Sequence, residues 1–168
     1  TQALIDAGHT RIAHIAGWEG SLTGRDRRQG FEDAMAGAGL KPFAIIDGMY
    51  KRNVAAATAR QLMAGETRPD AIFAGNDHMA FAVMDEIRQM GFSIPDDVAI
   101  IGYDDVPLAS WPAYDLTTVR QPVNRMVEAT IDTLMSAIDG QDTYTQTIEI
   151  EGPLIQRGSS KPLKGSPL

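Results

Sequence analysis

The sequence contains no cysteine, which removes disulfides, thiol nucleophiles and thiolate metal sites from consideration. It has no apolar run near the ~20 residues that a bilayer-spanning helix needs, so no membrane segment is expected. Basic residues are sparse. Fifteen Lys and Arg against 22 Asp and Glu leave a formal net charge of −7, and no basic cluster exceeds Arg25-Asp-Arg-Arg28. Such a surface repels phosphate backbones, so these residues are not expected to hold nucleic acid by themselves. Catalytic signatures are missing as well. His9, His14 and His78 have neither HExxH nor His/Cys metal spacing. Ser21, Ser93 and Ser110 lack the Gly-x-Ser-x-Gly elbow. Gly17 to Gly24 carries neither a Walker pattern nor G-x-G-x-x-G. No enzymatic activity and no cofactor are expected. The acid pairs Asp96-Asp97 and Asp104-Asp105 invite a metal reading, but Asp96-Asp97 follows Pro95 as turn residues do. No metal is expected there.

What is present is the make-up of an ordinary globular domain. Its 168 residues are 43% hydrophobic and 22% charged, enough for one substantial core. Short apolar runs alternate with helical patterns. Arg11–Gly17, Phe43–Asp47, Ala71–Ala74 and Val98–Gly102 are expected strands. Between them lie helices at Asp26–Ala38, from a cap at Asn53 to Gly65, and from a cap at Asn76 or Asp77 to Gly91. Thr23 falls in the polar loop expected before the first of these. Such β-α alternation implies parallel strands with right-handed crossovers and helices on both faces, a doubly wound α/β fold. The strands end abruptly in polar residues, Asn76-Asp77 and Asp104-Asp105. In open α/β sheets that carboxyl edge is where ligands bind.

The pattern changes after Asp105. A proline-containing loop leads to a short strand, Leu116–Val119, and then Gln121-Pro122. A long amphipathic helix follows, with Val123, Met126, Val127, Thr130, Ile131, Leu134 and Ile138 on one face and Gly140 as its stop. Thr143–Ile150 and Leu154–Gln156 are expected strands, and from Gly158 a frayed tail is expected. The sequence opens on Thr1, with Gln2–Ala7 reading as the end of a helix, so a fragment of a longer protein is expected.

Five stretches carry a resemblance: Arg27-Arg-Gln-Gly-Phe31, Ile72-Phe-Ala-Gly-Asn-Asp-His-Met-Ala80, Ile94-Pro-Asp-Asp-Val98, Ile101-Gly-Tyr-Asp-Asp105 and Leu116-Thr-Thr-Val-Arg-Gln-Pro122. In their order and spacing, the chain resembles the effector-binding core of LacI-type bacterial transcriptional regulators. The resemblance implies a periplasmic-binding-protein-like lobe plus a partial second lobe. Residues 1–120 would be the C-terminal lobe, 121–157 the crossover and partial N-terminal-lobe elements with a return strand, and 158–168 a flexible tail. The DNA-binding head and most of the N-terminal lobe would be absent. The implied function is sensing of a small-molecule effector, a sugar or related metabolite, that modulates operator binding by a missing helix-turn-helix. The protein would be a cytoplasmic homodimer touching DNA only through that absent domain.

The resemblance also assigns residues. Arg27 would reach into the pocket, where a planar guanidinium suits vicinal hydroxyls or a carboxylate; alone it reads as a solvated arginine in a first helical turn. Asn76 would bind ligand, since an amide donates and accepts at once, or cap a helix, or both. Asp104 would accept bonds from ligand hydroxyls, or hold loop amides. Tyr50 would stack on the ligand, or be simply half-buried. Gln121 would touch ligand or serve as a hinge, and Thr23 would face the pocket. Asp77 and Asp105 are expected to cap and to support loops. Phe81, Met84 and Asp85, with Trp111 and Tyr114, would form a dimer contact, with core packing as the competing explanation. Two other functions compete: a periplasmic sugar-binding receptor of the same fold, and a flavodoxin-like domain binding Mg²⁺ or a phosphoryl group at Asp104.

Overall fold

A computed structural model describes residues 1–140 and 147–161. The elements in chain order are α1 (Gln2–Asp6), β1 (Ile12–Ala16), α2 (Leu22–Gly37), β2 (Ala44–Asp47), α3 (Arg52–Ala64), β3 (Ala71–Ala74), α4 (Asp77–Gln89), β4 (Ala99–Asp104), a 3-10 turn (Pro107–Ser110), β5 (Thr117–Arg120), α5 (Val123–Ile138) and β6 (Leu154–Ile155). They form one six-stranded sheet in the order β2-β1-β3-β4-β5-β6. All neighbours are parallel except β5 and β6. The strand order reverses direction between β1 and β3, which makes the carboxyl ends of those two strands the switch point.

Period-two alternation sorts the strand residues between two cores. Ala13, Ile15, Ile72, Ala74 and Ile100 face α3 and α4, where Ala55, Ala59, Met63, Phe81, Met84 and Ile87 are buried. Ile12, Ala71, Phe73, Ala99 and Ile101 face the other way, against Leu4, Phe31 and Met35 of α1 and α2. His14 shares that second face. It lies between the rings of Phe31 and Phe73, with centroids 5.0 and 4.7 Å away. Its Nδ1 donates to the Phe73 carbonyl at 2.9 Å. Burial pulls the imidazole down to about 4, so it is neutral at pH 7.

Several boundaries differ from the sequence expectation. Helix α2 begins at Leu22 because Ser21 caps it, its hydroxyl accepting from the Gly24 amide at 3.0 Å. Thr23 therefore sits in the first helical turn rather than a loop. Asn53 is inside α3, which starts at Arg52 without a side-chain cap. Of the strand expected at Thr143–Ile150, residues 147–150 form no strand and the rest lie outside the described residues. The tail expected from Gly158 is docked through Ser160, with Ser159 and Ser160 both buried. Ser159 Oγ donates to Ile100 O at 2.6 Å and accepts from the Thr117 amide at 2.8 Å. Both the backbone carbonyl and the hydroxyl of Ser159 bond to Ile100, which a Ser/Lys/Pro/Gly composition does not reveal.

Candidate functional site

Three strand ends and the start of one helix converge at the carboxyl edge. Arg27, one turn into α2, crosses to the switch point. Its Nη1 donates to the Gly75 carbonyl just beyond β3 at 2.5 Å, and its Nη2 lies 3.3 Å from Asp104 Oδ1 at the end of β4. The guanidinium also lies flat over Tyr103, 3.9 Å from the ring centroid. Its side chain is only 14% exposed, so the solvated alternative does not hold for Arg27.

Asp104 is the other centre of the arrangement. Its Oδ1 accepts from Gln121 Nε2 at 2.6 Å as well as from Arg27. Among the described residues, Oδ2 accepts no hydrogen bond, while the side chain keeps 23% exposure. An anchored carboxylate with one open oxygen is an acceptor ready for a hydroxyl. Asn76 caps α4 through the Met79 amide at 2.9 Å. The ring of Tyr50 lies against Gly17, where any Cβ would collide with it. Its hydroxyl reaches Thr23 Oγ1 at 3.5 Å. Asp47 accepts from the Met49 amide at 2.7 Å and so supports the turn that carries Tyr50.

A cleft of about 300 Å³ opens beside Arg27, lined by Thr23, Asp26, Tyr103, Gln121, Pro122 and Met126 among others. Three of the six residues singled out from sequence thus line it directly. Asp104 joins it through hydrogen bonds to Arg27 and Gln121, whereas Tyr50 and Asn76 lie along the neighbouring strand ends. Sequence reasoning missed Tyr103 and Asp26. The signal for Tyr103 is its place one residue before Asp104, which on a strand directs it to the opposite face. There Arg27 arrives over it.

Asp77 supports the site from beneath. It is fully buried, accepting from Thr118 Oγ1 at 2.6 Å and the Val106 amide at 2.9 Å. Burial pushes its carboxyl above the ordinary range, against the pull of those two donors. It ties the ends of β3, β4 and β5 together. Among the described residues no group of three or more His, Asp or Glu could hold a metal.

Two residues expected at a dimer contact are elsewhere. Phe81 and Met84 are fully buried inside this chain, Phe81 packing on Tyr114 with centroids 4.4 Å apart. They stand on the inward side of α4, where period-3.6 spacing alone could not separate core from interface. Asp85 remains at the surface, within reach of Arg52 and Tyr114, and Trp111 is exposed.

A carboxyl-edge cleft in a doubly wound sheet, here between the ends of β4 and β5 and the start of α2, is the kind of site at which α/β lobes bind small molecules. The chain belongs to the periplasmic binding protein-like domain family, which matches residues 1–160, and it corresponds to the C-terminal effector-binding portion of LacI-type regulators. It is 40% identical over 162 residues to the ribose operon repressor of Escherichia coli (strain K12), covering 95% of this chain and 49% of that protein. The transcriptional regulator CelR in complex with cellobiose superposes with a TM-score of 0.84 at 32% identity, over 95% of this chain and 49% of that one. The lac repressor dimer bound to operator and the anti-inducer ONPF gives 0.87 at 25% identity, over 94% and 55%. The chain spans about half the length of the curated relatives it matches. Those relatives are named as repressors, not enzymes. No described helix is long and apolar enough to cross a membrane.

Proposed function

We propose that this chain is the effector-sensing part of a LacI-type transcriptional regulator and that its carboxyl-edge cleft binds a sugar. The carrying observation is Asp104, whose Oδ1 is anchored by Arg27 and Gln121 while Oδ2 accepts no hydrogen bond among the described residues. Beside it, Arg27 offers donors and Gln121 and Thr23 flanking polar groups, with the Asn76 amide and the aromatic face of Tyr50 along the neighbouring strand ends. That mixture suits a ring carrying several hydroxyls. The ribose repressor and the cellobiose complex among its similar proteins support the same class of ligand.

In the longer protein, ligand would act by favouring one arrangement of two lobes over another, and operator affinity would follow. A ligand shifts that balance only by its differential affinity for the two states. Exposed Trp111, with the half-buried Asp85 and Tyr114 beside it, would contribute to a homodimer, operator DNA would be held by a helix-turn-helix outside this chain, and the regulator would act in the cytoplasm without catalysing a reaction.

Calorimetric titration of the chain with D-ribose, cellobiose and other mono- and disaccharides tests the site. One saturable site is expected for at least one sugar. Arg27→Ala and Asp104→Ala, each deleting a charged partner, should weaken it by about 10- to 100-fold. Undiminished binding in both variants, or no binding by any sugar, would remove the assignment.

A further inference from the structure

Asp104 and Asp105 are neighbours in sequence with opposite commitments. The backbone takes φ +123° at Asp104 and +56° at Asp105, a left-handed excursion that non-glycine residues adopt only when surroundings hold them there. It turns the two carboxylates apart. Asp104 reaches Gln121, and Asp105 reaches Arg120 Nε at 2.5 Å. Adjacent acids at the end of β4 thus grip adjacent residues at the end of β5.

Asp105 has a second partner. Its Oδ1 accepts from Arg157 Nη2 at 2.7 Å, and Arg157 Nη1 continues to the Leu116 carbonyl at 2.7 Å. Arg157 lies just past β6, on the segment that returns antiparallel to β5. That segment also touches Arg120 through its backbone. The Arg120 amide donates to Pro153 O at 2.9 Å, and Gly152 comes so close to the Arg120 carbonyl that a Cβ there would collide with it. The chain leaves the sheet at Arg120 and re-enters it at Gly152 to Arg157. One carboxylate binds both places.

The side chains of Asp105 and Arg157 are only 5% and 13% exposed, so this is a desolvated pair rather than a surface ion pair of little consequence. Burial pushes the Asp105 carboxyl up, but the guanidiniums of Arg120 and Arg157 outweigh it and hold the group below the usual carboxylate range. It stays ionised through the physiological range.

We propose that Asp105 is a positioning residue, which fixes the outgoing and returning segments to the end of β4 and thereby aims Asp104 and Gln121 at the ligand. The proposal rests on the ligand reading of Asp104 but concerns residues that touch no ligand. Asp105 holds the outgoing and returning segments, and Asp104 faces the ligand.

Residue-resolved amide hydrogen exchange on the chain tests the positioning without any ligand. In Asp105→Ala and Arg157→Ala, the Arg120 and Gln121 amides should exchange at least about 10-fold faster, while those of Ile72 and Ala74 keep their protection. Asp105→Asn keeps an acceptor and tolerates positive φ, so it should fall between. Unchanged exchange at both amides in Asp105→Ala would overturn the proposal. Should that variant not fold, unchanged exchange in Asp105→Asn does so. Titration with D-ribose supplies the second arm. If ribose binds, Asp105→Asn should weaken it by about 10-fold, and unaltered affinity counts against aiming of Asp104. If ribose does not bind the parent chain, ribose is excluded as the ligand, and the exchange result alone decides the positioning.

Discussion

Helices α4 and α5 have similar lengths and both carry a clear apolar stripe, yet their fates in the fold are opposite. Nine of the thirteen residues of α4 are buried, and none of α5 is. The stripe of α5 (Val123, Val127, Ile131, Leu134 and Ile138) lies open, each side chain at least half exposed. α4 starts from a side-chain cap at Asn76, whereas α5 starts after Pro122 with none. Amphipathic pattern predicts that a helix will form and which face wants cover. It does not say whether the cover lies within the same stretch of chain. α4 finds β3, β4 and α3. The partner of α5 is not among the residues described.

Truncation is the strongest way to break the comparison. Phe81→Ala in α4 should lower the unfolding free energy by about 3–5 kcal/mol through lost burial and a cavity. Leu134→Ala in α5 should change it by no more than about 0.5 kcal/mol. Urea denaturation at pH 7 reads both, and comparable losses would erase the distinction.

A smaller effect separates the two faces of the sheet beneath α4. The α1–α2 face contains His14, whose imidazole lies at about 4 against an ordinary 6.5. Below pH 6.5 the unfolded chain takes up a proton that the folded chain refuses. Stability is therefore full above about 6.5 and falls as pH drops towards 4, by about 3 kcal/mol from this group. In His14→Phe that contribution should vanish, leaving a shallower pH dependence between 7 and 4 in the same denaturation assay. Equal slopes in parent and variant would show that folding leaves the proton affinity of His14 unchanged.

The smallest effect sharpens the contrast at the helix starts. Asn76→Ala should cost about 1 kcal/mol by stripping the cap from the Met79 amide. Asn76→Asp, which keeps an acceptor and favours the positive end of the helix, should recover most of it in thermal unfolding. Failure of Asp to recover it would mean that the amide group, not the cap, is what the position requires.

Much of the fold was legible along the chain. Strands β1 to β4 and the helices between them follow from apolar runs punctuated by Gly, Asn and Pro, because buried parallel strands and half-buried helices leave distinct periodicities. The carboxyl-edge placement of Asn76 and Asp104 follows from where those runs stop. Less legible were contacts between distant residues. Arg27 looks solvated until α2 is laid beside β4, and Phe81 looks available for an interface until Tyr114 packs on it. Ser159 looks like tail until its hydroxyl bridges Ile100 and Thr117. Each depends on a partner 40 or more residues away, or on a loop whose path no local rule fixes, apart from the nearer Phe81 pairing.

The sequence by itself determined the alternation of elements, the parallel sheet and the edge at which polar groups gather, since these rest on local periodicity and chain handedness. The tertiary structure alone decided that Arg27, Asp104 and Gln121 share one hydrogen-bonded group, that Asp105 joins the outgoing and returning segments, and that α5 keeps its apolar stripe uncovered. Those outcomes depend on which surfaces meet across the fold, and meeting is a matter of three-dimensional distance that spacing along the chain does not encode.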